Sequence, residues 1–124
     1  MNLVDSSGWL EYLADAPNAE AFAPAIQDTA HLVVSVINLY EVFKRVLQQY
    51  DEGKALRVAA LMMEGHVVPV TPELALEAAR LSAALRLPMA DSLILATARA
   101  YGAILWTQDK DFQGLPDVRY IPRR

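Results

Sequence analysis

Short apolar runs alternate along this chain with longer stretches of helical period. Residues 2–4 form an apolar strand that leads straight into Asp5-Ser6-Ser7-Gly8, where Ser6 or Ser7 can cap a helix over 9–14. Pro17-Asn18 breaks the chain, and 19–27 reads as a second short helix. A β-branched, apolar strand follows over 31–34. From Val36 the period becomes helical: Val36, Leu39 with Tyr40, Phe43 and Leu47 make one apolar stripe. Glu41 stands beside that stripe, with Arg45 four residues on as a pairing partner.

Gly53 opens a further helix, over 54–63, and Gly65 ends it. Residues 67–70 predict a third strand, and Pro69 within it predicts an edge position. Thr71-Pro72 is a helix start, with Thr as N-cap and Pro in the first turn. Leu74, Ala78, Leu81 and Leu85 then give that helix its core face, and Leu87-Pro88 stops it. The stretch 89–101 is apolar nearly all round, which predicts a centrally buried helix. Strands over 103–106 and 118–121 complete the pattern. Strands separated by helices, with near-continuous rather than alternating apolar residues, predict a parallel sheet covered on both faces. The expected fold is three-layer α/β/α with a central, mostly parallel sheet of about five strands, in one domain over 1–124.

Composition narrows the chemistry. The chain has 124 residues, 54% of them hydrophobic, which is ample for a core. It has no cysteine, so disulfides, zinc thiolate sites and cysteine nucleophiles are excluded. No basic, apolar leader opens it, and no run approaches the ~18 apolar residues a spanning helix needs, so a cytoplasmic protein away from membranes is expected. The net charge of −4 argues against a general nucleic-acid coat, yet leaves room for a nuclease whose own site is acidic.

Four acids carry the candidate chemistry: Asp5, Glu41, Asp91 and Asp109. Each can be placed at or near the C-terminal end of a strand, and in an open α/β sheet those ends face one crevice. Carboxylates gathered there repel one another unless some are protonated or a cation sits among them. An all-oxygen donor set suits Mg²⁺ or Mn²⁺ and points to metal-dependent phosphodiester chemistry. Each acid also has a plain structural role: Asp5 as a helix cap, Glu41 as half of a surface pair with Arg45, Asp91 in the first turn of a helix, Asp109 as the cap of a turn before Phe112. Their joint occurrence favours the metal site.

The segments Leu3-Val4-Asp5-Ser6-Ser7, Ser35-Val36-Ile37-Asn38-Leu39-Tyr40-Glu41-Val42, Ala90-Asp91-Ser92-Leu93-Ile94-Leu95-Ala96-Thr97-Ala98 and Leu105-Trp106-Thr107-Gln108-Asp109-Lys110-Asp111-Phe112 occur in that order. Together they resemble the PIN-domain ribonucleases, specifically the small VapC-type toxins of toxin–antitoxin pairs, over essentially the whole chain. The resemblance implies a metal-dependent endoribonuclease. Asp5, Asp91 and Asp109 would be its metal ligands, and Glu41 a ligand or water-positioning base. Thr107 and Ser6 would support the site, and Asp111 would be a fifth acid of undecided role. It implies one or two divalent cations, an activated water, and products ending in 5′-phosphate and 3′-hydroxyl. It also implies an RNA substrate, an antitoxin that inhibits by lying over the site, and a homodimer or toxin–antitoxin hetero-oligomer. The Ala-, Leu- and Met-rich helices over 19–27 and 54–63 are expected to form part of the antitoxin groove, with Leu61 and Met62 in it.

Lys44, Arg45, Arg86, Arg99, Lys110, Arg119, Arg123 and Arg124 are candidate RNA contacts, with Lys110 the best placed. Trp9 is a candidate base-stacking residue, and Trp106 is expected to be buried. His31, opening a strand, and His66, in a turn, have no evident partners and are given no chemistry. Three other classes compete. A receiver domain wants paired acids after the first strand, and an aspartyl phosphatase wants Asp-x-Asp there, where Ser7 stands. A silent PIN domain serving as a protein- or RNA-binding module has no reason to retain four repelling acids.

Overall fold

A computed structural model describes all 124 residues. The chain runs β1 (Asn2–Val4), α1 (Ser6–Leu13), α2 (Ala19–Gln27), β2 (Leu32–Ser35), α3 (Val36–Gln49), α4 (Glu52–Met62), β3 (His66–Val68), α5 (Pro72–Leu85), α6 (Met89–Ala100), β4 (Ile104–Thr107) and β5 (Val118–Tyr120). The sheet order is β3-β2-β1-β4-β5, and all four pairings are parallel. The expected three-layer sandwich is what forms, and β3 is an edge strand as expected, although it ends at Val68 and leaves Pro69 outside the ladder.

Side chains alternate across each strand, and this sorts the core into two layers. Leu3, Val33 and Leu105 point to the face covered by α5 and α6, where they meet Leu74, Ala78, Leu81, Ile94 and Leu95. Val4, Leu32 and Val34 point to the other face, where they meet Trp9, Phe22, Val42, Val58 and Met62 of α1 to α4. Both faces are therefore buried, which is why the strands read as unbroken apolar runs. Gly8 lets α1 lie this close: a Cβ there would stand 2.7 Å from the Phe22 ring and from Val4 Cγ1.

Several local expectations need correction. Ser6 and Ser7 do not cap α1 but lie in its first turn, with Asp5 at the cap position. His31 lies in a 3₁₀ turn (Thr29–His31), paired with Asp28, and His66 lies in β3 rather than in a turn. The core face of α3 is Asn38, Val42 and Val46; Tyr40 is 63% exposed and Leu47 is exposed too. The apolar band on α3 is wider than its buried stripe, and polar Asn38 disguised the inner edge. The two tryptophans exchange places: Trp9 is buried in the α1–α4 layer, whereas Trp106 is half-buried beneath the Arg119 guanidinium. Met62 is fully buried, so it is core rather than groove. On α2, Ala19, Phe22, Ala25 and Ile26 are likewise turned inward, which leaves only the small Ala21, Ala23 and Pro24 as its outward apolar residues.

Candidate active site

β1 lies at the centre of the sheet, and the chain builds outward from it on both sides, to β2 and β3 one way and to β4 and β5 the other. A crevice opens at the carboxyl end of such a switch point. Asp5 is the first residue beyond β1, so the topology places it in that crevice. Glu41 comes from the second turn of α3, and Asp109 follows β4. Asp91 departs from expectation: it sits in the first turn of α6, which follows α5 and Pro88 rather than a strand. All four nevertheless line one open cleft of about 450 Å³, together with Ser6, Ser7, Glu11, Gln108, Arg45 and Arg123.

Asp91, Asp109 and Asp111 each offer a carboxylate oxygen within 4.8 Å of the others'. Asp111 thus joins this trio from the exposed side, in the 3₁₀ turn Lys110–Phe112, while Asp109 also accepts from the Asp111 N–H at 2.9 Å. Asp5 is buried, and its side chain makes no helix-capping bond. Its Oδ2 instead accepts from the hydroxyls of Ser7 and Thr107, each at 2.9 Å. The Thr107 hydroxyl in turn accepts from Asp109 N–H at 2.9 Å, so one side chain spans two of the acids. Glu41 does not pair with Arg45; its Oε1 accepts from Ser6 Oγ at 2.7 Å, and Asn38 Nδ2 donates to that same hydroxyl at 2.9 Å.

The electrostatics match this crowding. Burial pushes the Asp5 carboxyl above its usual range, against the lowering effect of the Ser7 and Thr107 hydroxyls. Burial also raises Asp91, and the charges of Asp109, Asp5, Asp111 and Glu41 carry it further, to about 7. A set of hard oxygen donors whose members hold protons against each other is a set that a divalent cation relieves. The donors present fit Mg²⁺ or Mn²⁺.

The PIN domain family matches residues 3–118. The chain belongs to the PIN-domain family. This PIN domain is 38% identical over 96 residues to Ribonuclease VapC4 of Mycobacterium tuberculosis (strain ATCC 25618 / H37Rv), covering 71% of this chain and 74% of the relative. Among solved structures it superposes on a toxin–antitoxin complex from Klebsiella pneumoniae with a TM-score of 0.83 at 22% identity, covering 96% of each chain. It superposes on Mycobacterium tuberculosis VapC20, described as a sarcin–ricin loop cleaving toxin, with a TM-score of 0.76 at 21% identity, covering 96% of this chain and 99% of that one. At those identities the two structures speak for the fold.

Several contributors to the site escaped the sequence reading. Ser7, Asn38, Gln108, Asn18 and Glu11 hold or flank the acids through hydrogen bonds. Asn38 alone left a trace, as a polar residue on the inner side of an apolar helix three positions before Glu41. Among the candidate cations, Arg45 and Arg123 line the cleft, whereas Lys110 does not.

Proposed function

We propose that this PIN domain is the toxin of a toxin–antitoxin pair, an endoribonuclease that hydrolyses RNA with a divalent cation. The observation that carries the reading is the meeting of Asp5, Glu41, Asp91 and Asp109, from four separate elements, in one cleft at the switch point of the sheet. Likeness to Ribonuclease VapC4 supports the nuclease, and likeness to a toxin–antitoxin complex supports the partner.

Asp5, Asp91 and Asp109 would hold Mg²⁺ or Mn²⁺, with Asp111 at the rim of the same cluster. A bound divalent ion supplies a water ionised near neutral pH and neutralises charge on the phosphate. The residues of the chain do the rest. Thr107 fixes Asp5 and the backbone of Asp109 in one arrangement. Ser6, itself held by Asn38, fixes one oxygen of Glu41, so that this carboxylate is oriented to accept a proton or a water. The structure contains no single helix long and apolar enough to cross a membrane.

The antitoxin surface follows from α3 and α4. Leu39, Tyr40, Phe43, Leu47, Ala59 and Met63 line an apolar groove of about 560 Å³. Tyr40 also borders a smaller depression shared with Glu41 and Arg45. A segment seated in the groove would therefore run towards the cleft. An apolar groove leading to acids fits an amphipathic segment of the antitoxin that ends in a basic residue.

The test is cleavage of a structured RNA pool by antitoxin-free protein in Mg²⁺, in Mn²⁺ and in EDTA, beside Asp5→Asn and Asp91→Asn. Cleavage should need the metal and vanish in both variants. Metal-independent cleavage, or cleavage that survives Asp91→Asn, would sink the reading.

A further inference from the structure

Five carboxylates line the cleft (Asp5, Glu11, Glu41, Asp91 and Asp109), and only two cations face them, Arg45 and Arg123. Neither arginine is within ion-pair distance of a carboxylate; the ion pairs of the molecule are His31–Asp28 and Arg80–Glu77. Both guanidinium groups are thus uncommitted, in a cleft whose proposed substrate is a polyanion.

Arg123, three residues beyond the end of β5, reaches the cleft because the final segment is pinned. β5 pairs with β4, and the Ile121 N–H donates to Thr107 O at 2.8 Å. The next residue is held from the opposite side: Asn18 Nδ2 donates to Pro122 O at 2.8 Å. Asn18 is 3% exposed, and its amide also donates to Gln108 Oε1 at 3.0 Å. Gln108 is buried as well; its side chain reaches Glu11 Oε1 at 3.2 Å, and its backbone N–H reaches Ser7 Oγ at 3.3 Å. Ser7 closes the chain on Asp5. A continuous line of hydrogen bonds therefore runs from Asp5 through Ser7, Gln108 and Asn18 to Pro122. Buried amides used this fully are costly to place unless each partner is met. Their product is a C-terminal segment whose next residue, Arg123, lies over the cleft.

We propose that Arg45 and Arg123 are the RNA-phosphate contacts of the cleft, and that Asn18 is the positioning residue that holds the C-terminal segment where Arg123 reaches it. The inference rests on the ribonuclease reading for its substrate. Arg45 on α3 and Arg123 on the tail give the strand two anchoring charges beside the acids, and guanidinium groups match phosphate oxygens in geometry. With a net charge of −4 the protein as a whole does not attract RNA, so local cations beside the acids decide where it enters.

The test is binding of a mixed-sequence single-stranded RNA oligonucleotide by full-length Asp91→Asn protein between about 50 and 200 mM salt. On this background, Arg45→Gln and Arg123→Gln should each lower the slope of log affinity against log salt by about 0.7, the value of one phosphate contact on a single strand. Arg80→Gln, remote from the cleft and paired to Glu77, should leave the slope unchanged. Asn18→Ala should lower it as Arg123→Gln does, and the two together should cost no more than either alone. Because Asn18→Ala can also destabilise the fold, Arg123→Gln, which removes no internal bond, decides the matter. In the active chain Arg123→Gln should raise KM more than it lowers kcat. Unchanged slopes in both arginine variants overturn the inference, as does an Asp91→Asn protein that binds no RNA. Cleavage by the unmodified chain, measured in parallel, keeps the two readings apart. Cleavage with unchanged slopes removes the phosphate contacts and leaves the nuclease. Altered slopes without cleavage do the reverse.

Discussion

Thr107 Oγ1 donates to Asp5 Oδ2 across 2.9 Å, joining the end of β4 to the end of β1, although the two residues are 102 positions apart. The same oxygen accepts from Asp109 N–H, so it sets the separation of two acids at once. Thr107→Val keeps the shape and removes both bonds. It should cost about 1–3 kcal/mol of stability, because Asp5 and the Asp109 N–H lose a partner. It should also weaken cation binding and cleavage together, while Thr107→Ser stays close to the parent. Calorimetric Mn²⁺ titration beside a cleavage assay checks this; a Val variant with parental metal affinity would show that the hydroxyl is incidental.

The raised acids give the cation-free protein an unusual pH dependence. A carboxyl whose folded pKa exceeds its unfolded value keeps its proton longer in the native state. Below about pH 4 both states hold the proton and no burden exists. As pH rises towards about 7, the native Asp91 must ionise among its neighbours while the unfolded chain already has. Asp5, raised in the same direction, adds to this. Stability in EDTA should therefore fall across that window and level off above it. Asp91→Asn should flatten the fall, and Mn²⁺ should restore stability most at the alkaline end. Thermal melts at stepped pH read this directly; a curve that rises over the window would mean that the acids do not share one field.

Gly8 is the position where packing and site meet. Its missing Cβ is what lets α1 close on Phe22 and Val4, with Ser6 and Ser7 beside it in the same first turn. Gly8→Ala should cost about 1–3 kcal/mol through overpacking. A drop in melting temperature of several degrees is the expected reading. An unchanged melt would mean that Phe22 can swing clear.

The groove on α3 and α4 separates surface from core within two adjacent residues. Met63→Glu should weaken antitoxin binding and spare RNA cleavage, because Met63 is exposed in the groove. Met62→Glu should unfold the domain instead, since it buries an unpaired charge. Pull-down of the antitoxin and circular dichroism of both variants decide this; equal antitoxin binding by Met63→Glu would place the partner elsewhere.

The fold was legible because its strands are apolar on both faces and its helices carry clear stops such as Thr71-Pro72 and Leu87-Pro88. The acids were legible because Asp5 and Asp109 closely follow apolar strands and Glu41 and Asp91 stand in apolar helical segments. What the sequence concealed was partnership. Glu41 stands four residues before Arg45, the spacing of a helical ion pair, yet it turns to Ser6, thirty-five positions away. Leu47 and Tyr40 have the period of a core stripe but lie at its outer edge, because Val42 and Val46 already fill the space against the sheet. Trp9 looked like a free aromatic beside an acid, but the turn that starts at Asp5 rolls it inward. Asn18 and Gln108 gave no signal at all, since a buried amide relay has no periodicity.

β1 is the first strand made and β4 the fourth, yet they are neighbours at the centre of the sheet. A ribosome therefore makes Asp5 and Glu41 well before, and Asp91 shortly before, the strand that must lie beside the first one. Contacts of such long sequence separation form late in folding. The growing polypeptide carries Asp5, Glu41 and Asp91 without the strand that completes their cleft, so the site is assembled only once β4 has been made.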